Sequence, residues 1–151
     1  MNITAAVIEA LGADFVLKPL VIDEPRGDEV LVKISSVGMC HTDLAVQHGH
    51  LPFPLPGVVG HEGAGVVEAV GPDVTTVSIG DHVGVTFASC GECSQCAANL
   101  PSYCHNFMAL NFGGVRADGS NTNPPRSGRI ATRPVVNSNA AVTSNVTVKP
   151  R

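Results

Sequence analysis

Cys90, Cys93, Cys96 and Cys104 are four of the chain's five cysteines. Short gaps between the first three let neighbouring thiolates converge on one ion, and the longer gap before Cys104 lets a loop fold back to complete a tetrahedron. A site with all four positions filled by protein holds structure and leaves no room for substrate. Disulfides are the weaker reading: five is odd, no secretory leader follows Met1, and no apolar run is long enough to span a bilayer. A cytoplasmic, reducing location fits better. An iron-sulfur cluster is disfavoured because the ferredoxin run needs a shorter last gap and a following proline, whereas His105 follows Cys104. Zinc is the expected metal.

A second constellation lies upstream. Cys40-His41-Thr42-Asp43 opens a short helical stretch, and Gly60-His61-Glu62-Gly63-Ala64-Gly65 is a glycine-rich turn that leads into a strand. The Cys40 thiolate and the His61 imidazole offer two ligands of an open zinc site, with Asp43 or Glu62 orienting them. A lone cysteine or histidine is more often core filler, and it is the pairing of the two motifs that favours ligands. His48 and His50 read as surface or turn residues, and His82 and His105 as ordinary polar residues.

The elements that must position these groups are mostly strands. Aromatic residues are sparse, tryptophan is absent, and glycine and proline are plentiful, which suits strands and turns in one sizeable domain. Short apolar runs at 4–8, 15–20 and 63–70, the alternation of Val30, Val32 and Ile34 with Leu31, Lys33 and Ser35, and a run from His82 through Val85 predict strands. Gly71-Pro72-Asp73 predicts a turn. Only 42–48 predicts a helix, short and capped by Thr42 or Asp43. The sum is a single, mostly antiparallel β-domain with an excursion at about 87–107 and a loop over 115–134, after which Val135-Val136 and 146–148 are candidate returning strands.

Net charge is −4, unevenly spread: all 13 acidic residues precede position 121, and 121–151 hold five bases and no acid. Those five bases are scattered without aromatics to stack on nucleobases, which favours a solvated loop or a truncated terminus, so no nucleic-acid partner is expected. With no long apolar run, no membrane partner is expected either.

In their order and spacing GMCHTD, PLPGVVGHE, GHEGAGVVEAVG, GDHV and CGECSQCAANLPSYC resemble the N-terminal, GroES-like catalytic domain of the zinc-dependent medium-chain alcohol dehydrogenases, and within them the aryl-alcohol (benzyl alcohol) enzymes. The resemblance implies a mostly β (α+β) fold, a partly open GroES-like barrel over residues 1–120, with a four-cysteine structural-zinc lobe at 87–107 and a divergent segment at 121–151. It implies that Cys90, Cys93, Cys96 and Cys104 hold the structural zinc and that Cys40 and His61 bind a catalytic zinc, with Asp43 and Glu62 as direct or supporting ligands. Thr42 would hydrogen-bond the alcohol and pass its proton outward, and His41 would face the pyrophosphate of NAD. The substrate would be an alcohol or aldehyde, and the resemblance admits a homo-oligomer.

Three departures qualify it. The family's third catalytic ligand, a downstream cysteine, has no counterpart, because all five cysteines are already committed. There is no G-x-G-x-x-G, so the dinucleotide-binding Rossmann domain is absent. The histidine that ends the proton relay in many relatives falls at Ala45. Two classes therefore stay open: the catalytic-domain fragment of an NAD-linked alcohol dehydrogenase, not competent alone, or a stand-alone zinc-binding domain with a structural or partner-binding role.

Overall fold

A computed structural model describes residues 1–116, 119–120 and, as backbone, 131–132. Among them strands dominate: β1 (Asn2–Ile8), β2 (Phe15–Val21), β3 (Val30–Gly38), β4 (Gly57–Val58), β5 (Glu62–Val70), β6 (His82–Gly84) and β7 (Ala131–Thr132). The helices are short: α1 (His41–Gln47), α2 (Ser94–Ala97) and α3 (Phe107–Phe112), with a 3-10 turn at Pro101–Tyr103. The mostly-β class expected from composition is observed. Residues 135–136 and 146–148, expected to return as strands, lie outside the described residues.

The described residues fall into two compact units. The first comprises residues 1–23, 39–60 and the described residues from 108 onward. Its sheet has the order β2-β1-β4-β7. β1 and β2 pair antiparallel from Asn2 opposite Val21 to Ile8 opposite Phe15, whereas β4 and β7 run parallel. Val7 and Leu20 form the buried centre, with Ile3, Ala5 and Val58 packed on it. α1 is tied to the β1–β2 connection at its C-terminal end, where Gln47 Nε2 donates to the Ala13 carbonyl (2.9 Å) and the Gly12 N–H donates to the Gln47 carbonyl (2.8 Å). Asp23 and the buried Arg116 make an ion pair at 3.2 Å.

The second unit comprises residues 24–38 and 61–107 among those described. Its sheet has the order β3-β5-β6, and β3 and β5 pair antiparallel from Val30 opposite Val70 to Gly38 opposite Glu62. Val30, Val67 and Val83 are its buried core, each contributing about 1.5–3 kcal/mol by leaving water. Expected as an apolar run, β5 buries Gly63, Gly65 and Val67 on one face. The alternation at 30–35 predicts the strand β3, but burial does not follow it: Val30 and Leu31 are both buried and Ile34 is 49% exposed. Register shifts between Leu31 and Val32 and between Ile34 and Ser36 reset the two-residue phase, which no local pattern in β3 announces. Gly65 lies inside the second irregularity, where a Cβ would collide with the Lys33 carbonyl. The predicted turn at Gly71 is present, closed by the Val74 N–H donating to the Gly71 carbonyl (3.2 Å). It is tied to the neighbouring segment by the Gly71 N–H donating to the Glu29 carbonyl (2.8 Å) and the Asp73 N–H to that of Gly27 (2.9 Å).

Three local expectations are corrected. The helix expected at 42–48 begins one residue earlier, and its N-cap is Cys40 rather than Thr42 or Asp43. The sulfur accepts the Thr42 N–H at 3.2 Å while Asp43 Oδ2 accepts the Cys40 N–H at 3.0 Å, so the thiol takes the place a serine usually fills. β4, α2 and α3 were not anticipated, β4 because two residues carry no periodicity and the two helices because they lie within or directly after the cysteine excursion. No helix among the described residues is long and apolar enough to cross a membrane.

Candidate metal centres

The four-cysteine segment lies wholly in the second unit, and local structure aims its sulfurs. Cys93 is the N-cap of α2, Cys96 lies within it, and Cys104 ends the 3-10 turn. Between them the chain reverses at Asn99, which takes a left-handed φ of 60°, a conformation asparagine tolerates better than most residues. There the Asn99 N–H donates to the Cys96 carbonyl and the Leu100 N–H to that of Gln95, both at 2.9 Å.

The four Sγ atoms all lie within 4.8 Å of one another. Cys93 to Cys96 and Cys90 to Cys104 are each 3.5 Å, and Cys90 to Cys96 is 4.0 Å. Zinc–sulfur bonds of about 2.3 Å arranged tetrahedrally require sulfur–sulfur edges of about 3.8 Å, so the donor set fits zinc. A disulfide would need about 2.05 Å, and all five cysteines are free thiols. The backbone supports negative sulfur: the Cys90 N–H donates to Cys104 Sγ (3.3 Å) and the Cys93 N–H to Cys90 Sγ (3.4 Å).

Without metal, Cys90, Cys93 and Cys96 hold their protons unequally. Backbone N–H groups of Cys96 and then His105 hold Cys93 down at about 6, whereas burial and then the neighbouring Cys93 sulfur push Cys96 up to about 11. Cys90 is lowered by the backbone N–H groups of Glu92 and Cys93. A divalent cation removes this frustration because it replaces the protons at all four sulfurs together.

The residues of the second constellation are distributed over both units. In the first, Cys40 caps α1, His41 is exposed, Thr42 is half-buried in the first turn, and Asp43 is buried beneath the cap. Ala45 stands in the same helix, while His48 and His50 are exposed beyond its end with ring centroids 6.1 Å apart. In the second, His61 immediately precedes β5 and keeps only 10% of its side chain exposed, and its Nε2 is 3.9 Å from Glu62 Oε1. His82 and His105 are exposed.

Sequence reasoning missed the aromatic surroundings of His61. Phe87 stacks on the imidazole with centroids 4.2 Å apart and planes at 24°, and Phe107 packs against Phe87 at 5.1 Å. One signal was available: Phe87 and Phe107 stand three residues outside Cys90 and Cys104 respectively, a symmetry expected of residues that close the neck of a lobe.

Comparison with known proteins identifies relatives of the chain. Residues 26–143 match the family described as alcohol dehydrogenase GroES-like domain. The chain is 50% identical over 116 residues to the geraniol dehydrogenase of Castellaniella defragrans, an alignment covering 76% of this chain and 31% of that protein. Among solved structures it is similar to an alcohol dehydrogenase zinc-binding domain protein from Burkholderia ambifaria, with a TM-score of 0.90 and 44% identity over 97% of this chain and 43% of that one. It is also similar to benzyl alcohol dehydrogenase from Acinetobacter calcoaceticus, with a TM-score of 0.83 and 40% identity over 98% and 43% of the two chains. The chain spans about a third of the length of the curated relatives it matches.

Proposed function

The chain belongs to the alcohol dehydrogenase GroES-like domain family, and from that membership we propose that it is the catalytic-domain portion of a zinc-dependent, NAD-linked alcohol dehydrogenase that oxidises a primary, aromatic or similarly apolar alcohol to its aldehyde. Residues 1–120 are the catalytic domain in this reading and 121–151 its divergent continuation. The four free thiols at zinc-ligand separations are the observation that carries it, and a reducing, cytoplasmic setting is part of the same proposal.

Cys40 and His61 are the proposed ligands of the catalytic zinc. The donor set suits it: a thiolate, an imidazole and the Glu62 carboxylate are zinc ligands of ordinary kind, and fewer than four permanent protein ligands leave a position for substrate. Connectivity supports the pairing. Gly38 and Glu62 are register partners, Cys40 follows Gly38 by two residues, and His61 precedes Glu62 by one, so covalent reach keeps both ligands close to the same end of the β3–β5 ladder. Bound there, zinc supplies a Lewis acid that makes an alcohol hydroxyl acidic.

The chain's own residues do the rest. Asp43, buried and accepting the Cys40 N–H, holds the cap that carries the thiolate. Thr42, in the first turn of α1, offers a hydroxyl that accepts the substrate proton and passes it outward. With Ala45 in α1 that path ends without an imidazole at this position. His41, exposed beside Thr42, is the proposed contact to the cofactor's pyrophosphate. Glu62 orients His61 or joins the ligand set, consistent with the 3.9 Å separation. No cofactor-binding βαβ unit occurs among the described residues, so the reading assigns hydride transfer to a longer protein that contains these residues, in which a homo-oligomer is admitted.

The test compares this chain alone with the same residues joined to a cofactor domain. NADH formation from benzyl alcohol is expected only from the joined protein and is expected to be lost in Cys40→Ser and His61→Asn, each of which keeps the four-cysteine zinc. NAD reduction by the isolated chain, or an unaffected His61→Asn protein, would sink the reading. Absence of turnover in both forms would favour a zinc-binding structural module.

A further inference from the structure

The aromatic contact at His61 joins the two constellations. β5 and β6 pair antiparallel with Ala64 opposite Gly84, Gly65 opposite Val83 and Val66 opposite His82. The same register continues past β6, where the Val85 N–H donates to the Gly63 carbonyl at 2.6 Å. Extended by two more residues, it sets Phe87 opposite His61, where the rings are stacked. Phe87 also begins the neck of the cysteine lobe. Cys90 and Cys104 approach to 3.5 Å through their sulfurs, and three residues outside each of them Phe87 and Phe107 meet. The Phe107 N–H donates to the Cys104 carbonyl at 3.0 Å, so the second aromatic is anchored on the last ligand.

An imidazole can present a metal-binding nitrogen in several directions by rotating about its side-chain torsions, and each alternative weakens the site. A ring covered on one face by Phe87 has fewer of them. Phe87 is in turn held against Phe107, whose N–H is bonded to the carbonyl of the last cysteine of the lobe.

We propose that Phe87 is a positioning residue for His61, and that closure of the four-cysteine lobe sets the orientation of the His61 ring through the Phe87–Phe107 contact. The metal at the lobe then prepares the ligand of the other site without touching it. The inference rests on the proposed function only for the assignment of His61 as a ligand.

The measurement is NMR of the 151-residue chain with isotope-labelled histidine, made in a Cys40→Ser background so that metal at His61 does not contribute. His61→Asn assigns the signals by their loss. With zinc in the lobe, the His61 ring protons are expected upfield, under the ring current of Phe87. Phe87→Leu is expected to move them downfield and Phe87→Tyr to restore them. Chelation of the lobe zinc is expected to shift or broaden the His61 signals while those of His48 and His50 stay in place. His61 signals unchanged by Phe87→Leu in a folded chain, or indifferent to chelation, would overturn the proposal. Should Phe87→Leu fail to fold, Phe107→Leu decides the matter, because it leaves the stack and cuts the link. Loss of the His61 response to chelation in that variant supports the coupling, and its persistence refutes it. These readouts need no turnover, so a failure of alcohol oxidation would count against the proposed function and not against this inference.

Discussion

Gly38 stands opposite Glu62 in the β3–β5 register, and a Cβ added to Gly38 would lie 3.1 Å from Glu62 Cβ and meet its carboxylate. The absence of a side chain at one position therefore gives the acidic side chain at the other its room. Gly38→Ala is expected to displace the Glu62 carboxylate and cost about 1–2 kcal/mol from overpacking, since the end of the glutamate can swing away. Denaturation of Gly38→Ala, Glu62→Ala and the double variant checks this. The Gly38→Ala cost should largely vanish in the Glu62→Ala background, whereas additive costs would place the strain elsewhere.

Zinc at the cysteine lobe is expected to be stoichiometric and to contribute folding free energy. One tightly held zinc per isolated chain should be released on thiol modification, and Cys93→Ser or Cys104→Ser should lower both the bound zinc and the thermal midpoint. Metal analysis and circular dichroism melts read the two quantities. A Cys104→Ser chain that kept full zinc and an unchanged midpoint would contradict the assignment.

The metal-free chain should show two opposed pH dependences from the same lobe. Cys93 has its native value lowered to about 6, so its unfolded thiol holds the proton more tightly. Its stabilising contribution is lost as pH falls toward about 6 and is complete above the unfolded thiol range. Cys96 is raised to about 11, which reverses the sign: its contribution is complete below that range and is lost as pH rises toward about 11. Thermal midpoints of apo Cys93→Ser and Cys96→Ser, compared with the apo parent across this span, should lose the acid-side and alkaline-side slopes respectively. With zinc bound, alkaline loss should disappear because Cys96 is already deprotonated.

Arg116 is 7% exposed and pairs with Asp23 at 3.2 Å, while its backbone N–H donates to the Ser120 carbonyl at 2.8 Å. Arg116→Ala is expected to destabilise by about 2–3 kcal/mol because it removes a buried cation from beside a partly buried carboxylate. Asp23→Asn, which keeps a hydrogen-bond acceptor, should cost less. Urea midpoints for the two variants decide, and equal or reversed costs would show that the pair does not act through charge.

Val67, at 1% exposure, has Val30 and Val83 as neighbours in the core of the second unit. Val67→Ala is expected to cost about 2–3 kcal/mol through lost transfer energy and an unfilled cavity. Val37→Ala, at a residue 64% exposed, should fall within about 0.5 kcal/mol of the parent.

Much of this protein was legible in one dimension, for reasons of spacing. Thiolates that must share one small ion have to be near in sequence or return by a short loop, so Cys90, Cys93, Cys96 and Cys104 announced their site, and their sulfurs lie at the separations zinc requires. The strand at β5 and the Gly71 turn were legible because their causes are local, an apolar run of strand length and a proline beside a glycine. The pairing register was not. It depends on which strand lies alongside, and the two irregularities in β3 that expose Ile34 exist only in the company of β5. Tertiary structure alone brought Glu62 over Gly38 and Phe87 onto His61, residues remote in sequence that meet because antiparallel strands fold the chain back on itself. The amino-acid sequence settled which atoms are available to hold metal; the packing of strands and lobe decided which side chains hold those atoms in place.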